Sequence, residues 1–171
     1  GHEAILPLDR LWKELGKHVS NVIEIKANEN IVSSIPVYSF KTDLDITIFT
    51  KNGMVKRSKL SDYQVQRYSK PISTMKLKDD DKVVSVSLTL DNNVFVVTKG
   101  GYGLWYKTNA IPVVGVKAAG VKAINLKNDE VVSGIIFDDT QDYLTIFTHK
   151  GNAKRIKLSE LEVGKRAGRG L

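Results

Sequence analysis

The chain has 171 residues, of which 42% are hydrophobic, so it is long and apolar enough to bury a core. Its 26 basic and 19 acidic residues give a net charge of +7, which favours an anionic partner such as nucleic acid or an acidic membrane surface. The absence of cysteine excludes a disulfide framework and thiolate chemistry, and no apolar run is long enough to span a bilayer. We therefore predict a cytoplasmic protein with no membrane-spanning segment.

The first residues resemble the end of a repeated unit. Residues 5–11 align with residues 155–161, which follow a predicted hairpin turn. Half a hairpin leaves a ladder of backbone groups unpaired, so we expect further sequence before Gly1. Residues 11–18 can form a turn or two of helix, whereas most of the chain alternates with the period of a β-strand.

A short alternating marker strand that ends in lysine recurs at residues 22–26, 74–78 and 123–127. Each occurrence is followed by a polar turn that contains an acid, and then by an apolar run. The acids are Glu29, Asp81 and Asp129, and the apolar runs begin at Ile31, Val83 and Val131. This order predicts two strands joined by a turn at the start of each unit.

A β-hairpin follows each apolar run. Its turn glycine is Gly53, Gly101 or Gly151, flanked by β-branched and aromatic residues. These glycines recur about every 50 residues, a period typical of propellers and solenoids. We predict an all-β, propeller-like β-pinwheel of four-stranded blades, each made of the marker strand, the apolar strand and the hairpin. The ring is incomplete in this chain, because a propeller typically takes about 4–8 blades.

The repeats predict a single domain over residues 1–171. The end of a blade and a linker occupy residues 1–21, and repeats occupy residues 22–72 and 73–120. Residues 121–171 contain the last repeat and the start of another, with Leu171 at the position of Val121. The basic segment 164–170 lacks the strand-to-helix context of a phosphate-binding loop, so we predict a flexible linker there.

Positive charge concentrates in the second arm of the hairpin. A period of two puts Arg57 and Lys59 on one face of the first such arm. Lys56 lies on the opposite face, which ends in apolar residues and can enter the core. Charged strands are usually a solvated outer face, but recurrence at one phase favours a continuous basic band that binds the phosphates of duplex DNA. The candidate DNA-binding residues are Arg57, Lys59, Arg155 and Lys157, followed by Lys56, Lys107 and Lys154.

Other candidate sites carry weaker signals. Trp105 and Trp12 are predicted to pack rather than to stack on bases. The three histidines have no ligand spacing, so we predict no metal site. Residues 79–81 are acidic, but their place in the repeat indicates a turn. Because no nucleophile has a base as its partner and no carboxylates are paired, we predict no catalytic residue and no cofactor in this domain.

Two repeated sequences indicate a known family. They are IFTKNGMVKRSKLS at residues 48–61 and AAGVKAINL at residues 118–126, with KRAGRG at residues 165–170. In this order, over essentially the whole chain, they resemble the C-terminal domain of bacterial type IIA topoisomerase A subunits. The WKELG segment at residues 12–16 and the rest of the pattern are most similar to the topoisomerase IV branch of Gram-positive bacteria. The QRRGGKG box of gyrase A subunits does not occur.

The resemblance implies a β-pinwheel whose basic outer rim binds and bends duplex DNA. It implies a non-catalytic domain of an ATP-dependent type II topoisomerase that directs substrate choice in decatenation, relaxation and chromosome segregation. Cleavage would belong to the remainder of the A subunit, whereas ATP hydrolysis would belong to the B subunit. The alternatives are DNA wrapping, as in gyrase A subunits, and a propeller-like protein-interaction platform whose loops carry the contacts.

Overall fold

The structure is a computed structural model that describes residues 21–27, 30–37, 44–63, 72–73, 76–78, 80–147 and 153–171. Its elements confirm the all-β prediction. The strands are β1 (Asn21–Ala27), β2 (Asn30–Val37), β3 (Asp45–Thr50), β4 (Met54–Lys59), β5 (Ile72–Ser73), β6 (Val83–Leu88), β7 (Asn93–Thr98), β8 (Gly103–Lys107), β9 (Val121–Lys122), β10 (Val131–Phe137), β11 (Tyr143–Phe147) and β12 (Ala153–Lys157). Short 3-10 helices follow three of them, at Leu60–Tyr63, Thr108–Ala110 and Leu158–Glu160. The predicted helical turn at residues 11–18, Trp12 and the three histidines lie outside the described residues.

The three predicted hairpins are present as the antiparallel pairs β3–β4, β7–β8 and β11–β12. Gly53 and Gly101 have φ angles of +86° and +92°. This left-handed region is costly for residues with a side chain and open to glycine, which explains the glycine in each turn. Gly151 lies outside the described residues.

The marker strand is confirmed only at its first occurrence, where β1 covers it. At the third, residues 123–127 form no strand, and the prediction there is wrong. The Ala123 N–H donates to the Gly53 carbonyl and the Asn125 N–H to the Gly168 carbonyl, each at 2.7 Å. Since these amides bond to two different segments, they build no single ladder. At the second occurrence, residues 74–75 lie outside the described part and residues 76–78 are not a strand.

The sheets that contain β3–β4 and β7–β8 draw strands from successive repeats, so the prediction that one repeat supplies all the strands of a blade is wrong. The four-stranded sheet has the order β6-β3-β4-β9, so its hairpin is joined by strands from the next two repeats. The following sheet has the order β10-β7-β8. Leu171 lies beside β8 as β9 lies beside β4 in the first sheet, because Gly103 and Leu171 exchange backbone hydrogen bonds of 2.9 and 3.0 Å. The sequence unit and the blade are therefore out of phase.

Neighbouring sheets pack through their inner strands. The Ser85 hydroxyl on β6 donates to the Gly134 carbonyl at 3.3 Å and accepts from its N–H at 3.0 Å. Gly134 on β10 lies so close to the Phe49 ring that a methyl group there would overlap it. Since β6 and β10 meet on this side, β4 and β8 lie toward the outer side of their sheets. This arrangement positions the candidate site.

Aspartates fix the hairpin turns from the next repeat. The Asp81 Oδ1 accepts the N–H groups of Asn52 at 2.9 Å and of the residue after itself at 2.8 Å. In the same way the Asp129 Oδ1 accepts the Gly100 N–H and that of the following residue, both at 2.8 Å. The predicted turn role of the acid is thus confirmed at Asp81. The carboxylate holds one hairpin turn to the start of the apolar strand of the next repeat, which is β6 after Asp81 and β10 after Asp129.

Candidate nucleic-acid interface

The second arm of the second hairpin alternates between core and surface as predicted, whereas the first does so only from Lys56 onward. In β4 and just after it, Lys56, Ser58 and Leu60 are buried, but Val55, on the predicted outer face, is also buried because it packs into the hydrophobic core. In β8 the corresponding buried residues are Leu104 and Tyr106. The opposite face carries the candidate cations. In β12 most side chains are exposed, because β11 is its only strand partner among the described residues.

Lys56 is a correction to the predicted DNA-binding set. Its side chain is only 1% exposed, and its Nζ donates to the Val116 carbonyl of the following linker. Period two places it with Ser58 and Leu60 on the core face, where no phosphate can reach it. Burial lowers the pKa of Lys56 from 10.5 to about 8, because desolvation disfavours the charged ammonium. Lys56 therefore connects the linker to the blade.

Arg57 lies on the outer face but is already engaged. Its Nε is 3.4 Å from the Asp45 carboxylate, and its Nη1 donates to the Thr108 carbonyl at 3.3 Å. The Arg57 side chain retains 18% of its exposure. Lys59, on the same arm, is exposed. Of this pair, Lys59 is the more accessible to a ligand.

The second hairpin presents a neutral group where the first presents Arg57. Trp105 donates from Nε1 to the Asn93 side chain at 3.1 Å and packs on Phe137 with ring centroids 5.7 Å apart, so its predicted packing role is confirmed.

The Lys107 Nζ lies 2.8 Å from the Asn93 Oδ1 and 3.1 Å from the Asp139 carboxylate. Hydrogen bonds from Asn93 and Lys107, with the charge of Lys107, hold the pKa of Asp139 below its usual value. The predicted basic band is therefore interrupted at this hairpin.

The third hairpin presents exposed cations without an acidic partner in the described part of the chain. The Arg155 guanidinium lies over the Tyr143 ring, 3.8 Å from its centroid. Lys157 stands directly opposite Tyr143 in the ladder, and Lys154 is exposed on the same strand. Arg155 and Lys157 thus lie together, as Arg57 and Lys59 do on the first arm.

The linkers supply cations that sequence reasoning missed. The segment 113–120 runs along β4, where the Val114 N–H donates to the Arg57 carbonyl at 2.8 Å. The segment 163–170 runs along β8, where the Gly164 N–H donates to the Trp105 carbonyl at 2.6 Å. The exposed cations of these linkers and of β9 are Lys117, Lys122, Lys165 and Arg169. They therefore lie beside the hairpin arms on the outer side.

The glycine-rich basic segment is bound along its length, so the prediction of a flexible linker is corrected. Arg166 ties this segment to the 3-10 helix after β8 and to β9, since its Nε and Nη1 each donate at 2.7 Å, to the carbonyls of Ala110 and Lys122. Gly120 and Gly170 have φ angles of +85° and +81°, which marks one turn in both linkers. The sequence contains a signal for this shared turn, because Gly120 and Gly170 recur at the repeat period.

The described residues hold no group of three or more histidine, cysteine, aspartate or glutamate side chains that could bind a metal ion. Within the same ranges, no helix has the length and apolar character needed to cross a membrane. The exposed lysine and arginine side chains of the arms and linkers offer ionic contacts, which suit phosphate oxygens.

The family model for the DNA gyrase C-terminal domain, a beta-propeller, matches residues 45–89, 92–137 and 142–171. The A subunit of DNA topoisomerase 4 from Bacillus subtilis (strain 168) is 45% identical over 165 residues, which cover 95% of this chain and 20% of that protein. The same subunit of Staphylococcus epidermidis (strain ATCC 12228 / FDA PCI 1200) is 36% identical over 176 residues, covering 100% of this chain and 22% of that protein. The chain thus spans about a fifth of these curated relatives.

Solved structures show the same fold. A crystal structure of the C-terminal domain of DNA topoisomerase IV superposes with a TM-score of 0.76 at 42% identity, covering 91% of this chain and 49% of that one. A DNA gyrase A C-terminal domain superposes with a TM-score of 0.72 at 22% identity, covering 96% and 53%, and supports the fold alone. The predicted propeller-like architecture is confirmed. Because the family model matches well over half of its residues, this chain belongs to the DNA gyrase C-terminal domain family of beta-propellers.

Proposed function

We propose that this chain is part of the C-terminal domain of the A subunit of a topoisomerase IV, and that it binds duplex DNA by its phosphates on the outer side of the blades. The observation that carries the proposal is the exposure of cations on the arms of the first and third hairpins, together with those of the linkers that run along β4 and β8. The arm cations are Lys59, Lys154, Arg155 and Lys157, and the linker cations are Lys117, Lys122, Lys165 and Arg169. These cations lie on strands and linkers that backbone hydrogen bonds hold in place. Contacts from such charges to phosphates do not read the base sequence, which suits sequence-independent binding.

The similarity to the A subunit of DNA topoisomerase 4 supports the wider role. In this proposal the domain bends or captures a DNA segment and thereby directs substrate choice in decatenation and relaxation by an ATP-dependent enzyme. Cleavage belongs to the remainder of the A subunit, whereas ATP hydrolysis belongs to the B subunit. The domain itself contributes no catalytic residue and no cofactor, and it acts in the cytoplasm on the chromosome.

The test is a salt titration of binding to a linear duplex of unrelated sequence, with the full 171-residue chain. Each phosphate contact contributes about −0.9 to the slope of log K against log salt. A variant with Lys59, Lys154, Arg155 and Lys157 all replaced by glutamine should have a shallower slope, by about 0.9 for each phosphate that is no longer neutralised.

A matched control removes the same charge from the hairpin-turn end of the blades. It replaces the exposed residues Lys78, Lys82, Lys99 and Lys127 by glutamine. The control variant should keep most of the wild-type slope. Equal reductions of the slope in both variants would mean that net charge alone drives binding, and an unchanged slope in the arm variant would reject the proposed surface.

A further inference from the structure

The three hairpins differ at one equivalent pair of positions, and this difference concerns how strongly each can bind DNA. The first residues of β3, β7 and β11 are Asp45, Asn93 and Tyr143. Each contacts the side chain at the corresponding position of the second arm, which is Arg57, Trp105 or Arg155. The contacts are an ion pair, a hydrogen bond and a cation–π stack.

We propose that Arg155, Lys157 and Tyr143 form the principal phosphate-binding site of the described hairpins, and that Asp45 makes the equivalent site around Arg57 a weak one. This assignment rests on the proposed function. It concerns which hairpin arms contribute most to DNA binding, because the sequence repeat by itself predicts equal contributions from equivalent arms.

Asp45 competes with DNA for Arg57. Its carboxylate is 3.4 Å from the Arg57 Nε, and a second donor of the same guanidinium is used by the Thr108 carbonyl. A phosphate would have to displace the carboxylate or bind next to its negative charge. An arginine that is already neutralised in this way displaces no condensed counterion from DNA, so it adds little to the salt dependence.

Tyr143 has the opposite effect on Arg155. Tyr143 is 40% exposed, and its ring holds the guanidinium over its face at 3.8 Å without neutralising it. A guanidinium that pairs with no acid among the described residues can use its N–H donors for paired bonds to phosphate oxygens. Lys157, directly opposite Tyr143 in the ladder, adds a second positive charge at the same place. The stacked guanidinium also blocks one ring face, which favours phosphate contact over base stacking.

The test compares identical substitutions at equivalent positions. Arg155→Gln should make the salt slope of duplex binding shallower by about 0.9, whereas Arg57→Gln should leave the slope nearly unchanged. Asp45→Asn should release Arg57 and steepen the slope by about 0.9. Asp62→Asn, which removes an exposed acid on the turn after β4, is the matched control and should leave the slope as it is.

The outcomes separate this inference from the function on which it rests. Equal slope changes for Arg57→Gln and Arg155→Gln, or no change for Arg155→Gln, would overturn the assignment while wild-type binding stands. If Arg57→Gln lowers stability, Asp45→Asn reports on the same site with Arg57 intact, and an unchanged slope there also overturns it. Binding by the wild-type chain that does not depend on salt would overturn the proposed function, and the assignment with it.

Discussion

We expect the stability of the wild-type chain to rise with pH, and replacing Lys56 by methionine should abolish that rise. Methionine keeps an unbranched side chain in the core and removes the ammonium. In the folded chain the pKa of Lys56 falls from 10.5 to about 8 because of burial. Between these values the folded state binds fewer protons than the unfolded state, so the free energy of unfolding increases with pH. Integrating this difference in bound protons from about pH 7 to about pH 9.5 gives an upper bound of about 2 kcal/mol for the increase in unfolding free energy due to Lys56.

The measurement is urea denaturation at a series of pH values across that range. Wild type should gain stability toward high pH, and Lys56→Met should lack that gain. The range ends below the ionisation of buried tyrosines, since burial raises the pKa of Tyr63 to about 12. Lys154→Met is the control, because Lys154 occupies the same hairpin position on β12 and is exposed, so it should follow wild type. Parallel pH profiles for wild type and Lys56→Met would refute the reasoning.

Three further changes test the packing, the turns and the aromatic contact. Gly134→Ala should destabilise the fold by about 1–3 kcal/mol in urea denaturation, because its methyl group would overlap the Phe49 ring; an unchanged stability would show that the inner strands can separate. Asp129→Ala should cost about 1 kcal/mol or more by the same assay, since its Oδ1 accepts the hairpin-turn N–H of Gly100 and the N–H of Glu130. Tyr143→Phe should keep wild-type duplex affinity and Tyr143→Ala should weaken it in the salt titration, because either aromatic ring stacks on Arg155; equal behaviour of the two variants would remove the ring from the site.

The sequence by itself was sufficient for the hairpins, although not for the third marker segment, where residues 123–127 form no strand. The hairpins follow from β-branched runs on both sides of turn glycines, and Gly53 and Gly101 adopt the left-handed φ that such turns need. The alternation of β8, and that of β4 from Lys56 onward, could also be predicted, because a period of two is a property of the strand backbone. These features depend on residues that are close in the chain. They could be predicted without knowing where the next repeat lies.

The candidate site could be predicted only in part. The sequence found the arms that carry the cations, and Lys59, Arg155 and Lys157 are exposed there. It did not find the linker cations as part of the same surface, because residues 163–170 reach β8 through hydrogen bonds to a segment more than a repeat earlier in the chain. Pairing across that separation leaves no local pattern.

What the amino-acid sequence determined is the fold class, the repeat and the phase of the positive charges. What only the tertiary structure decided is which charges are available. Lys56 and Lys154 occupy the same position in their hairpins, yet a linker covers the first and the second is exposed. Arg57 and Arg155 are also equivalent, but Asp45 neutralises one and Tyr143 supports the other. The availability of a charged side chain depends on burial and on its nearest partner in space, and the repeat fixes neither.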